Sequence, residues 1–198
     1  LGKMGLEHEA AFLDQLRQGE HSIVEFTRET ADIDNTENAM REGNDFIFQA
    51  QLGQGQLAGI ADFLARKPGQ SEFGDYHYEA WDTKLSHSPK ASFIIQLWAY
   101  TEMLEEIQHC RPNAFEVVLG TNEHVRFLTK NFIYYFQSLK RSFLEFHDRC
   151  DPTELPDPRL YASYGRWSEY ANQILEASDH LSRVANITRS QIKKLEAA

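Results

Sequence analysis

The chain has 198 residues, 41% of them apolar and 25% charged, which describes an ordinary globular domain with a core of its own, or one domain plus an appendage. Its net charge of −10 excludes a surface that binds DNA indiscriminately, though Arg66, Lys67, Lys84, Lys90, Lys130, Lys140 and Arg141 leave room for a local basic groove. No apolar run has the length of a membrane span, no signal-peptide layout opens the chain, and Cys110 and Cys150 are too few for a disulfide framework or a four-thiolate metal site, so a cytoplasmic protein without a membrane partner is expected.

The predicted elements begin with a helix over "GLEHEAAFLDQLRQG" (5–19), where Leu6, Phe12, Leu13 and Leu16 share one face and a glycine closes the run. Two apolar runs around Gly53-Gln54-Gly55 in 45–69 predict a β-hairpin, and the alternating, aromatic "YHYEAWDTKL" (76–85) a third strand. "ASFIIQLWAYTEMLEEIQHC" (91–110) predicts a helix ended by Arg111-Pro112, with Phe93, Leu97, Tyr100, Leu104 and Ile107 on its core face. "FEVVLGT" and "HVRFLT" flank Asn122-Glu123, a second hairpin. In 131–150 a helical stripe of Phe132, Tyr135, Phe136, Leu139, Phe143 and Phe146 reads as core. Prolines at 152, 156 and 158 mark a linker, with shorter helices expected over 163–177 and 179–197. This order predicts an α/β domain whose mixed sheet is covered by helices. The chain opens at Leu1 and stops within the helical pattern "SQIKKLEAA", so it reads as a piece of a longer protein.

Two charged residues set the chemical question. In a strand, residues two apart point to the same face, so Asp82 and Lys84 meet whatever that face meets. Buried charges are costly unless paired or employed. Asp62 ends the second apolar run, "LAGIADFL", and an adjacent strand would bring it to Asp82. Two carboxylates repel unless a cation bridges them, and hard oxygens suit Mg²⁺ or Mn²⁺. The same residues also suit a surface ion pair on an edge strand. On the 91–110 helix, Gln96 lies one turn from Tyr100 on the face turned to the sheet; either a strand carbonyl or the acidic site would satisfy it. Glu79 points to the opposite strand face and reads as solvated or ion-paired. His77, His87, His109 and His124 have no partner spacing that singles them out.

Gly-x-x-His-Glu ("GLEHE"), Gly-x-x-Asp ("GIAD"), Asp-x-Lys ("DTK") and Gln-x₃-Tyr ("QLWAY") follow one another in that order. Together they resemble the RecB-like branch of the PD-(D/E)XK nuclease superfamily, from about residue 4 to the end of the chain. The likeness is to bacterial RecB-family nucleases in which this domain leads a longer chain, often followed by helicase-type modules. It implies a restriction-endonuclease-like mixed sheet flanked by helices, with a nuclease core at 1–150 and a small helical extension at 151–198 that leads into a following module. By position, His8, Asp62 and Asp82 become ligands of Mg²⁺ or Mn²⁺, joined by the backbone carbonyl of Thr83. Lys84 becomes the catalytic lysine, with Asp62 and Asp82 beside it, and Gln96 and Tyr100 support the site or touch DNA. Glu9, nearer the centre of the apolar face than His8, is the reserve ligand. The activity implied is hydrolysis of phosphodiester bonds in DNA, at single-stranded or frayed ends, in repair, recombination or defence. A catalytically idle DNA-binding or interaction module on the same fold is the alternative.

Such relatives usually carry Cys-x₂-Cys-x-Trp-x₃-Cys after the linker, suited to an iron–sulfur cluster. Here "ASYGRWSEYA" has Ala162, Gly165 and Ala171 in place of the cysteines and retains Trp167, so no cluster is expected. Tyr161, Tyr164, Trp167 and Tyr170, with Ile174, are expected to supply packing instead. Cys110 and Cys150, at helix ends, are expected to be buried or half-buried free thiols.

Overall fold

The computed structural model describes residues 2–197 apart from 28, 152, 154, 156, 161 and 162. They form two compact units, the chain dividing between Phe143 and Leu144.

In the first unit the described elements are α1 (Gly2–Gln18), β1 (Ile23–Glu25), α2 (Ile33–Arg41), β2 (Phe46–Gln54), β3 (Leu57–Ser71), β4 (Gly74–Lys84), α3 (Ala91–Gln108), β5 (Ala114–Leu119), β6 (His124–Leu128) and the start of α4 (Ile133–Arg149). The strands make one six-stranded sheet in sequence order. β1–β2 and β4–β5 are parallel pairs, joined by α2 and α3 as crossovers, and the other neighbours are antiparallel. The architecture is α/β, a mixed sheet flanked by helices. The three predicted strands and the second hairpin form as expected, with turns at Gly55-Gln56 and Gly120–Glu123.

Alternation along β4 sorts the core into two faces. Tyr78 and Ala80 turn to α2 and α3, joining Met40, Leu64, Leu97, Trp98, Leu104, Phe115 and Val117. Trp81 turns the other way, joining Phe12 and Leu13 of α1 with Phe46, Phe63 and Val118. Trp98 is 1% exposed and stacks on Phe136 with ring centroids 4.6 Å apart; truncating such a tryptophan costs about 3–5 kcal/mol. Gln108, at the end of α3, is fully buried and stands in for a strand: Tyr78 N–H donates to its Oε1 at 2.8 Å, and its Nε2 donates to Tyr78 O at 3.2 Å. Middle β4 is thereby fixed before β5 begins.

Several expectations fail on burial. Leu6 is exposed, so the apolar face of α1 reduces to Phe12, Leu13 and half-buried Leu16. Of the α4 stripe, Phe136 is buried and Phe132 half-buried, but Tyr135, Leu139, Phe143 and Phe146 are exposed. Helical period reports which side chains share a face, not that anything lies against it. Of the two readings of Glu79, solvated or ion-paired, the second holds: it is 1% exposed and paired with Arg126.

In the second unit, turns of 3₁₀ helix at Pro158–Leu160, Gly165–Trp167 and Leu181–Arg183 punctuate α5 (Ser168–Ala177) and α6 (Arg189–Glu196). Thr188 opens α6 with a capping box closed by Gln191. The packing role expected of the aromatics falls elsewhere: Trp167 and Tyr170 are exposed, whereas Ala171 and Leu175 are buried and Ile174 is half-buried. Tyr164 is half-buried, its hydroxyl donating to Pro158 O at 2.9 Å. Tyr161 and Ala162 lie outside the described residues. Cys110 is half-buried as expected, but Cys150 is exposed.

Candidate active site

The β3–β4 register pairs Phe63 with Trp81, so one further step sets Asp62 opposite Asp82. The β3–β4 pairing stops there, and the Thr83 backbone N–H donates to Asp62 Oδ2 at 3.2 Å. Asp62 is thus held by its side chain to the backbone between Asp82 and Lys84. Asp82 is fully buried, on the α3 side of the sheet like Tyr78 and Ala80. Lys84 Nζ stands 2.6 Å from Asp82 Oδ2 and 5.5 Å from the centre of the Phe93 ring on α3. The close ion pair is joined by the neighbouring Asp62 carboxyl, which shares the same lysine's surroundings.

Electrostatics follow from that geometry. Burial, then the Asp62 carboxyl beside it, pushes Asp82 up to about 8; Lys84 opposes the shift without cancelling it. An acid in this position is costly to ionise unless more positive charge arrives.

Gln96 and Tyr100 form the expected pair and use it to reach the sheet. Gln96 Nε2 donates to Tyr100 Oη at 3.1 Å, and Tyr100 Oη donates to Ile60 O at 2.8 Å. Burial, chiefly, raises the Tyr100 hydroxyl, and Asp62 and Asp82 add to the shift. The glycine of "GIAD" has its reason here: a Cβ at Gly59 would lie 2.8 Å from Tyr100 Cε1. Two motifs forty residues apart in the chain are one contact in space.

On α1, His8 is half-buried and its Nε2 is enclosed without a hydrogen-bond partner. The half-buried Glu9 accepts at Oε1 from Gln49 Nε2 of β2. Burial raises the Glu9 carboxyl; the Gln49 bond opposes this, and the charges of Asp82 and Lys84 act on it in opposite directions. Among the described residues, no group of three or more His, Cys, Asp or Glu side chains is gathered closely enough to hold a metal ion. Asp62, Asp82, Thr83 and Lys84 therefore come together, with Gln96 and Tyr100 behind them, while His8 does not close a three-ligand cluster. Gln49 was invisible to pattern reading, because nothing in "FIFQAQL" separates it from a solvent-facing strand residue. The other histidines lie elsewhere: His124 pairs with Glu116, His109 with Glu72, and His77 is buried 3.8 Å from Glu79.

No protein-family model and no curated protein matches the chain. Among the described residues, no helix is long and apolar enough to cross a membrane.

Proposed function

We propose that this chain carries a metal-dependent DNA nuclease domain of restriction-endonuclease-like architecture. The supporting observation is Asp82: a fully buried carboxylate beside Asp62, with one lysine 2.6 Å away. Two adjacent carboxyls sharing one lysine are unfavourable as structure alone and suit a site completed by a ligand.

The donor set fits a hard divalent cation. Mg²⁺ and Mn²⁺ prefer carboxylate oxygen, and Mg²⁺ is commonly held by one or two carboxylates plus waters and substrate phosphate. Asp62 and Asp82 would hold the ion, with the Thr83 carbonyl and His8 as further candidates. A cation there supplies Lewis acidity toward the phosphate and a water of lowered pKa. The chain's own residues do the rest. Lys84 offers an ammonium to a phosphate oxygen and to the charge that develops on it. The Thr83 N–H keeps Asp62 pointed inward, and the Gln96–Tyr100–Ile60 chain fixes the strand end against α3.

Carried further on the resemblance, the substrate is single-stranded or frayed DNA, the setting is repair, recombination or defence, and a helicase-type module is the partner in cis. The competing reading, an idle DNA-binding or interaction module, draws on the net charge of −10 and on the lack of a three-ligand cluster among the described residues.

End-labelled single-stranded DNA with Mn²⁺ or Mg²⁺ decides between them. Cutting that stops on chelation is expected, and Lys84→Ala is expected to lose about 10²–10³ of the rate at unchanged Mn²⁺ affinity. Binding without cutting would establish the idle module, and equal rates in Lys84→Ala and wild type would sink the mechanism.

A further inference from the structure

β2 and β3 lose one rung. Phe48 pairs with Phe63 and Ala50 with Ala61, but Gln49 and Asp62 between them do not pair. Gln49 has φ +56°, a left-handed conformation that non-glycine residues adopt rarely. His109, Asn122, Asp179 and Asn186, the other described non-glycine residues of this kind, follow helices or sit in turns; Gln49 alone is inside a strand. Side-chain alternation skips a beat at the same place. Ile47 and Leu64 face the α3 side, and so do Ala50, Leu52 and Ala61, although strict alternation would turn these last three away. Strain of this sort persists only where the surroundings impose it, and it gathers at functional sites. Across the opening, the Gln49 amide reaches α1 and donates to Glu9.

We propose that Gln49 is a positioning residue of the candidate site: at the missing rung opposite Asp62, its left-handed backbone carries the amide to Glu9 and fixes that carboxylate. The inference rests on the metal-dependent reading above and adds to it an outer acid, Glu9, that strengthens the pull on a cation without being one of its ligands. A glutamine in ordinary strand geometry would restore the rung to Asp62 and leave Glu9 unheld. The missing rung thus falls between the carboxyl that the Thr83 N–H holds and the amide that holds Glu9.

Three variants test this in the intact chain: Gln49→Gly, which accepts the left-handed backbone and has no amide; Gln49→Asn, which tolerates that backbone but is one methylene too short; and Glu9→Gln. Calorimetric Mn²⁺ titration and thermal unfolding are read together. Both Gln49 variants are expected to keep the thermal midpoint, since neither adds backbone strain, and to bind Mn²⁺ about tenfold more weakly. Glu9→Gln is expected to show the same loss, and Gln49→Asn combined with Glu9→Gln no greater one. A lower midpoint at unchanged Mn²⁺ affinity would make Gln49 a feature of the fold alone and overturn the proposal, as would losses that add fully. A wild type that cuts DNA and binds Mn²⁺ while the variants match it overturns only this inference; a wild type that does neither overturns the nuclease reading as well.

Discussion

Glu79 and Asp82 lie three residues apart on β4, one toward each face of the sheet, and both are withdrawn from solvent. Glu79 is tied into the fold. Its Oε1 accepts from Arg126 Nη2 at 2.9 Å and from the Ala114 N–H at 3.2 Å, linking β4 to β6 and to the start of β5. Asp82 lies beside a second carboxyl, with Lys84 Nζ 2.6 Å from its Oδ2 as the positive neighbour. The contrast separates two uses of buried charge. One carboxylate is matched through Oε1 by partners on neighbouring strands and serves the sheet, although its Oε2 is enclosed without a partner; the other shares a single lysine with a second carboxyl. Burial alone would not have told them apart.

The sharpest way to break the comparison is Arg126→Ala. Removing one member of a buried pair leaves the other charge uncompensated, for about 3 kcal/mol once the partial exposure of Arg126 is allowed for. The thermal midpoint should fall by about 6–12 °C, with DNA cleavage below the transition unchanged. A lost activity at full stability would place Glu79 in the functional site and erase the distinction.

Asp82→Asn should act the other way. Removing a buried, poorly compensated charge is expected to raise stability by about 2 kcal/mol, and to abolish cleavage and Mn²⁺ binding. The pH dependence follows the same logic. With Asp82 pushed from its ordinary 3.8 to about 8, the folded state holds more protons than the unfolded state between those values. Stability contributed by the protonated form is therefore complete below about 4 and declines as pH rises toward 8. Melting curves across that window should show the decline in wild type and lose it in Asp82→Asn. Mn²⁺ at about 100 times its dissociation constant should return about 2.7 kcal/mol to the wild type at pH 8. A flat wild-type profile would mean that Asp82 is compensated in solution after all.

Much of the fold, and part of the site, was legible in the sequence. Glycine-rich and Asn-Glu turns between alternating runs announced both hairpins, and the long apolar stripe announced α3. The facing of Asp82 and Lys84 needed only the two-residue period of a strand, and that of Gln96 and Tyr100 only the helical turn. β1 and α2 escaped because a three-residue strand and a nine-residue helix carry too little pattern, even with Asp32 capping α2 at the Asn35 N–H. Gln49 escaped for a different reason: its role lies in a backbone angle that its residue type does not announce. The exposed part of the α4 stripe shows the opposite failure, a clear pattern whose side chains stay largely in solvent. The pairing of Gly59 with Tyr100 needed the tertiary contact itself.

The smallest effect tests whether the comparison extends from carboxylates to lysines. Lys67 on β3 places Nζ 4.4 Å from the centre of the Trp81 ring, on the α1 side, while Lys84 lies 5.5 Å from the Phe93 ring, on the α3 side. Both are cations resting on aromatic faces at the sheet, and by that contact alone they would be equivalent, each at about 0.5–1 kcal/mol. They differ in what stands beyond the ring. Lys84 has the buried Asp82 at 2.6 Å and a candidate phosphate position; Lys67 rests on Trp81, on the face that Glu79 and Arg126 tie together. Lys67→Met keeps the aliphatic stem against the indole and removes the charge, so it isolates the cation–π contribution. It should lower the thermal midpoint by about 1–4 °C and leave the cleavage rate within about twofold of wild type. A larger loss of rate would mean that DNA also runs along the α1 face, and the division of labour between the two faces of β4 would have to be given up.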